Sequence, residues 1–77
     1  MSDLSVIEVD ARGLDCPMPL LKAKRALNAI KSGEQLRILA TDRGSQRDFQ
    51  IFAKQSGHLL LASEVDGDVY RYLLQKR

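Results

Sequence analysis

Both prolines of the chain fall within three residues, Pro17 and Pro19, directly ahead of a run with helical periodicity. Proline has no amide hydrogen and a φ fixed near the helical value. It is therefore accommodated in the first turn of a helix, where amide donors lack an intrahelical partner, and not further in. The pair pins the start of the first helix, with Pro17 predicted at its first position. Leu20, Ala23, Leu27 and Ile30 then recur at helical spacing, and Gly33 is predicted to close the run. What precedes the prolines must be something else: residues 4–9, LSVIEV, read as a short strand ending at DARG.

Beyond the first helix, EQLRILAT alternates as a strand, with Leu36, Ile38 and Ala40 on one side and Arg37, Leu39 and Thr41 on the other. DRGS reads as a turn, and Ser45 as the N-cap of a second helix over about residues 46–56. That helix carries Phe49, Phe52 and Ala53 on one face, leaves Ile51 off it, and ends at Gly57. HLLLASEV and DVYRYLLQK are two further strands joined by a hairpin signal, DGD. The order is β-α-β-α-β-β. The expected fold class is an α+β two-layer sandwich: a mixed four-stranded sheet with two helices on one face. At 77 residues the whole chain, 1–77, makes one domain. Leu59 and Leu60, and Leu73 and Leu74, are apolar on both sides of their strands. The uncovered sheet face should therefore keep some apolar surface, consistent with a monomer or a weak dimer.

Composition removes several function classes. No apolar run approaches the roughly 20 residues needed to span a bilayer, and MSDLSVIEVD has neither the basic nor the long apolar part of an export signal. One cysteine cannot form an internal disulfide, so a reducing, cytoplasmic setting is expected. A net charge of +2 is too mild to imply direct nucleic-acid binding. The charge is unevenly placed, however. Between Pro17 and Gly33 stand Lys22, Lys24, Arg25 and Lys31, with no acidic residue.

The single cysteine, Cys16, immediately precedes the two prolines. At or beside the N-cap, its sulfur would face free amides and the positive end of the helix dipole, both of which favour the thiolate. Arg12, Lys22 and Arg43 are candidate cations for it, and Asp15 acts the other way. The alternative is an inert, buried cysteine, a common fate for this residue type. The flanking Asp15, Arg12 and prolines weigh against that, as does a position off the apolar stripe. No Cys-x-x-Cys pair exists. One cysteine with one histidine, His58, cannot build a zinc site, so no metal is expected and His58 reads as a surface residue. What remains is sulfur exchange with another protein, without a cofactor.

DARGLDCPMPL, the basic helix after it, ATD after the second strand and the terminal YRYL together resemble the TusA/SirA family of small sulfur carriers, over about residues 4–76. The resemblance implies the same β-α-β-α-β-β sandwich and a sulfurtransferase-type carrier without a cofactor. It implies that Cys16 takes sulfane sulfur as a persulfide from a donor such as a cysteine desulfurase and passes it to an acceptor protein. In the best-known branch that sulfur reaches 2-thiouridine of tRNA; other branches serve sulfur oxidation. Arg12, Gly13, Pro17 and Pro19 are implied as motif-supporting residues. Met18 fills the variable position of the Cys-Pro-x-Pro motif, and Arg43 stands where a proline commonly follows the aspartate. With Lys22 and Arg25 they form the candidate partner-binding set. A regulatory or RNA-binding module using the basic first helix is the competing reading. It is weakened by having only two phenylalanines and two tyrosines, none forming an exposed stacking platform.

Overall fold

The computed structural model describes residues 6–77 and has six elements: β1 (Val6–Ala11), α1 (Met18–Ala29), β2 (Gln35–Ala40), α2 (Ser45–Ser56), β3 (Leu59–Asp66) and β4 (Val69–Gln75). The strands lie in the order β1-β2-β4-β3, with β1 parallel to β2 and β4 antiparallel to both its neighbours. This is the expected mixed sheet. The period-2 pattern explains its two sides. Leu36, Ile38 and Ala40 of β2, with Tyr72 and Leu74 of β4, are buried under the helices. Arg37 and Leu39 alternate to the other side.

Several boundaries move, each for a local reason. Residues 4 and 5 of the predicted first strand lie outside the described residues. Its end extends from Val9 to Ala11, because Asp10 and Ala11 keep the parallel ladder opposite Leu39 and Ala40. Pro17 is the N-cap of α1 and not its first residue; its carbonyl accepts the first helical bond from the Leu21 amide at 3.0 Å. Pro19 is buried in the first turn. The helix ends at Ala29, ahead of Gly33, because Ile30 turns extended and enters the core. Gly33, at φ 88°, belongs to the next turn, where its amide donates to the Lys76 carbonyl.

Ser45 is not the cap of α2. Gly44 holds that place, and Ser45 is the first helical residue, buried, with its hydroxyl 2.6 Å from the Tyr72 hydroxyl. Four residues on, Phe49 stacks on the Tyr72 ring with centroids 4.6 Å apart. These two contacts seat the first turns of α2 on β4. Gly57, left-handed at φ 83°, ends the helix as predicted. The open sheet face carries a shallow depression of about 630 Å³ that Cys16 does not line. It keeps apolar surface at Leu39, Ala62, Val69 and Leu73, as expected, and carries charges beside them. Arg37 faces Glu8 and Arg71 pairs with Asp66 between the half-buried Leu39 and Leu73.

Candidate functional site

Cys16 is exposed and lies two residues ahead of α1, beside its N-cap. The chain reaches it through a turn shaped by Arg12 and Gly13. The Arg12 guanidinium and amide both bond to the Asp10 carboxylate, at 2.9–3.0 Å, which holds the Asp10 pKa down at about 2. Gly13 adopts φ 80°, a conformation that favours glycine, and its amide donates to Thr41 Oγ1 at 2.9 Å. Both residues therefore support the loop. Neither carries a charge to the sulfur.

The sulfur itself turns toward α2: Cys16 Sγ donates a hydrogen bond to Asp48 Oδ2 at 3.0 Å. Asp42, on the loop after β2, supplies a third group; ligand-type atoms of Cys16, Asp42 and Asp48 lie within 4.8 Å of one another. One Asp42 oxygen, Oδ2, is buried with no hydrogen-bond partner among the described residues. Three groups do not complete a four-coordinate shell, and the thiol–carboxylate bond already joins two of them, so no metal is assigned here.

These carboxylates reverse the expected activation of the thiol. Its pKa is raised, first by the hydrogen bond to Asp48, then by partial desolvation and by the charges of Asp48 and Asp42. The helix terminus offers few donors to oppose this, and the prolines are part of the reason. Pro17 and Pro19 have no amide hydrogen, and the Met18 amide already donates to the Asp15 carbonyl at 2.8 Å. The motif that fixes the helix start also removes two of the amide donors a thiolate would use and leaves Leu20 as the first-turn amide without a partner among the described residues. Arg12, Lys22 and Arg43, read from sequence as candidate cations, have no part in the shift: Arg12 is occupied by Asp10, and Lys22 and Arg43 are exposed.

The candidate partner-binding residues share a side. Met18, Lys22 and Arg25 recur at i, i+4 and i+7 on α1, all exposed, with Leu21 beside them. Arg43 is exposed ahead of α2. A small cleft of about 110 Å³ between the helices is lined by Leu20, Lys24, Asp48, Ile51, Phe52 and Gln55. His58 lies at the surface, as expected, but is half-buried there. Its Nδ1 accepts from the Arg77 amide at 3.1 Å, and its ring lies 5.7 Å from that of Phe52.

The family described as Sulfurtransferase TusA matches residues 7–76. The chain belongs to this family. It is 49% identical over 69 residues to the sulfur carrier protein TusA of Allochromatium vinosum, covering 90% of this chain and 91% of that one. It is 44% identical over 72 residues to YrkF, a putative sulfur carrier protein of Bacillus subtilis. The match covers 94% of this chain and 39% of YrkF. The crystal structure of a SirA-like protein from Desulfitobacterium hafniense superposes with a TM-score of 0.78 at 28% identity, over 90% of this chain and 95% of that one. TusA-family membership makes the chain a sulfur carrier and implies protein partners. Sequence reasoning missed Asp48 as a site residue. Its only local signal was an acidic residue in the first turn of a helix. Asp42 was visible in the ATD element but was not connected to the cysteine.

Proposed function

We propose that Cys16 is the sulfur-carrying residue, receiving sulfane sulfur from a donor protein and surrendering it to an acceptor. The observation that carries this reading is an exposed, unpaired thiol at the head of α1 in a member of a sulfur-carrier family. In loading, Cys16 Sγ, having lost its proton to solvent, attacks the outer sulfur of the donor's persulfide. The donor's S–S bond breaks as the new one forms on Cys16, and the donor cysteine leaves as a thiolate that takes up a proton. Delivery repeats the step with Cys16 as the leaving thiolate. Neither step changes the total oxidation state, so no cofactor is required. A cytoplasmic cysteine desulfurase is the donor class this chemistry fits, and thiolation of tRNA through an acceptor protein is one destination.

Met18, Lys22, Arg25 and Arg43 form the docking surface in this reading, with the cations facing an acidic partner. The competing RNA-binding role is disfavoured by the burial of Phe49 and Tyr72, which leaves them unavailable for base stacking. The test is intact mass after incubation with a cysteine desulfurase and cysteine. Wild type gains one reducible sulfur atom, and Cys16→Ser gains none while keeping its fold. Sulfur retained on the variant would assign the carrier role elsewhere.

A further inference from the structure

Asp48 stands in the first turn of α2, 32 residues from the cysteine, and is held there by the packing of the same turn. Ser45, three residues before it, is anchored to Tyr72, and Phe49, next to it, is stacked on the same ring. The hydrogen bond from Cys16 is thus made to a carboxylate whose backbone is fixed by the core. We propose that Asp48 is a positioning residue that restrains the empty carrier, fixing Cys16 Sγ as a hydrogen-bonded thiol, while the terminal sulfur of a loaded persulfide lies beyond its hold. This rests on the reading of Cys16 as the sulfur-carrying residue.

The two states differ in which sulfur carries the proton and reacts. In the empty protein the proton lies between Sγ and Asp48 Oδ2, 3.0 Å apart. A carboxylate accepting from a thiol stabilises the protonated form, and it repels the thiolate once the proton has gone. The second carboxylate, Asp42, adds to the repulsion from the loop beside α2. Asp15, adjacent in the chain, adds no cation, and the loop's own cation, Arg12, is bound to Asp10. Loading moves the reacting atom one S–S bond, about 2.05 Å, away from Sγ. Sγ then has no proton to donate, and the nucleophile or electrophile is the outer sulfur. An empty carrier that resists ionisation is slow to react with stray electrophiles and disulfides. A loaded one carries no such brake at its terminal sulfur.

The experiment is the pH profile of alkylation by iodoacetamide for wild type, Asp48→Asn and Asp48→Glu, with thermal unfolding run on each. Asparagine keeps the size and an acceptor oxygen but removes the charge. Its alkylation midpoint should fall, whereas Asp48→Glu should stay near wild type. For each unit of fall the thiolate fraction at neutral pH rises tenfold, while lower basicity reduces its nucleophilicity about threefold. The neutral-pH rate should therefore rise about threefold per unit. A purely structural role for Asp48 would move the unfolding temperature and leave the midpoint in place. The same profile is then taken after loading with inorganic polysulfide, where the alkylated terminal sulfur should behave alike in wild type and Asp48→Asn. Superimposable profiles of the empty proteins overturn the inference, as does a slower Asp48→Asn, which would make Asp48 a proton acceptor that aids ionisation. A shift of equal size in the loaded proteins overturns the claim that the restraint is confined to the empty state. Failure of the underlying reading shows separately, as wild type that gains no sulfur from the desulfurase.

Discussion

Ser45 and Tyr72 form a buried polar contact in the core, with their hydroxyls 2.6 Å apart and Ser45 only 2% exposed. Removing one partner leaves the other buried and unpaired, whereas removing both leaves no orphan. Ser45→Ala or Tyr72→Phe alone should therefore cost about 1–3 kcal/mol in urea unfolding, and the double variant less than the sum of the two. An additive double variant would show that the hydroxyls do not depend on each other. The same residue shows how far local signals reach. A serine after an Asp-Arg-Gly turn reads as a cap, because caps are where serine most often begins a helix. Its actual use is set by a tyrosine 27 residues away, which no window around Ser45 contains. Cys16 repeats the lesson. Its exposure and its place beside the helix start followed from two neighbouring prolines, but its ionisation is governed by Asp48, 32 residues on. Activation argued from the helix terminus alone had the wrong sign.

Among elements, the type and order of all six were legible, and the ends were not. Periodicity reports which face is buried, so α1 and β2 were recognisable from Ala23, Leu27, Leu36 and Ile38. It does not report where the ladder or helix stops, which depends on partners: Ala11 on Ala40, Ile30 on the core, Gly33 on Lys76. The junction between α2 and β3 has a testable pH dependence. His58 packs near Phe52, and its Nδ1 accepts from the Arg77 amide, an arrangement that requires that nitrogen unprotonated. Burial, then the charges of Arg77 and Lys76, hold its pKa below the ordinary 6.5. In the window between the folded and unfolded values the unfolded chain binds more protons. The contribution of His58 to stability is therefore complete above 6.5 and is lost as pH falls through the lower, folded value. The effect is small, because the ring is only half-buried. Between about pH 7.5 and about pH 5.5 the unfolding temperature of wild type should drop more than that of His58→Gln. Equal drops would leave the carboxylates as the cause.

For the whole molecule, the sheet separates two surfaces of different character. The helical side holds the sulfur, the exposed Met18 and Leu21, and the cations of α1, while the open sheet face balances Arg37 and Arg71 against Glu8 and Asp66. The helix α1 thus carries cations and no acidic residue, although the chain as a whole carries only +2. Lys22 and Arg25 form no salt bridge among the described residues, so their charge is available to a partner. Such rim charges act mainly on the rate of encounter and contribute little singly, so two should be reversed together. Lys22→Glu with Arg25→Glu should slow loading by a donor protein about tenfold at low salt, the lower end of what steering supplies. Raising the ionic strength shortens the screening length to about 10 Å at 0.1 M and should slow wild type toward the variant. Neither cation contributes to the shifted pKa of Cys16, so alkylation by a small neutral reagent should be unchanged. A parallel fall in alkylation would mean that the cations act on the thiol and not on a partner. Loading that ignores both the reversal and the salt would remove α1 from the docking surface and turn attention to Arg43, exposed ahead of α2.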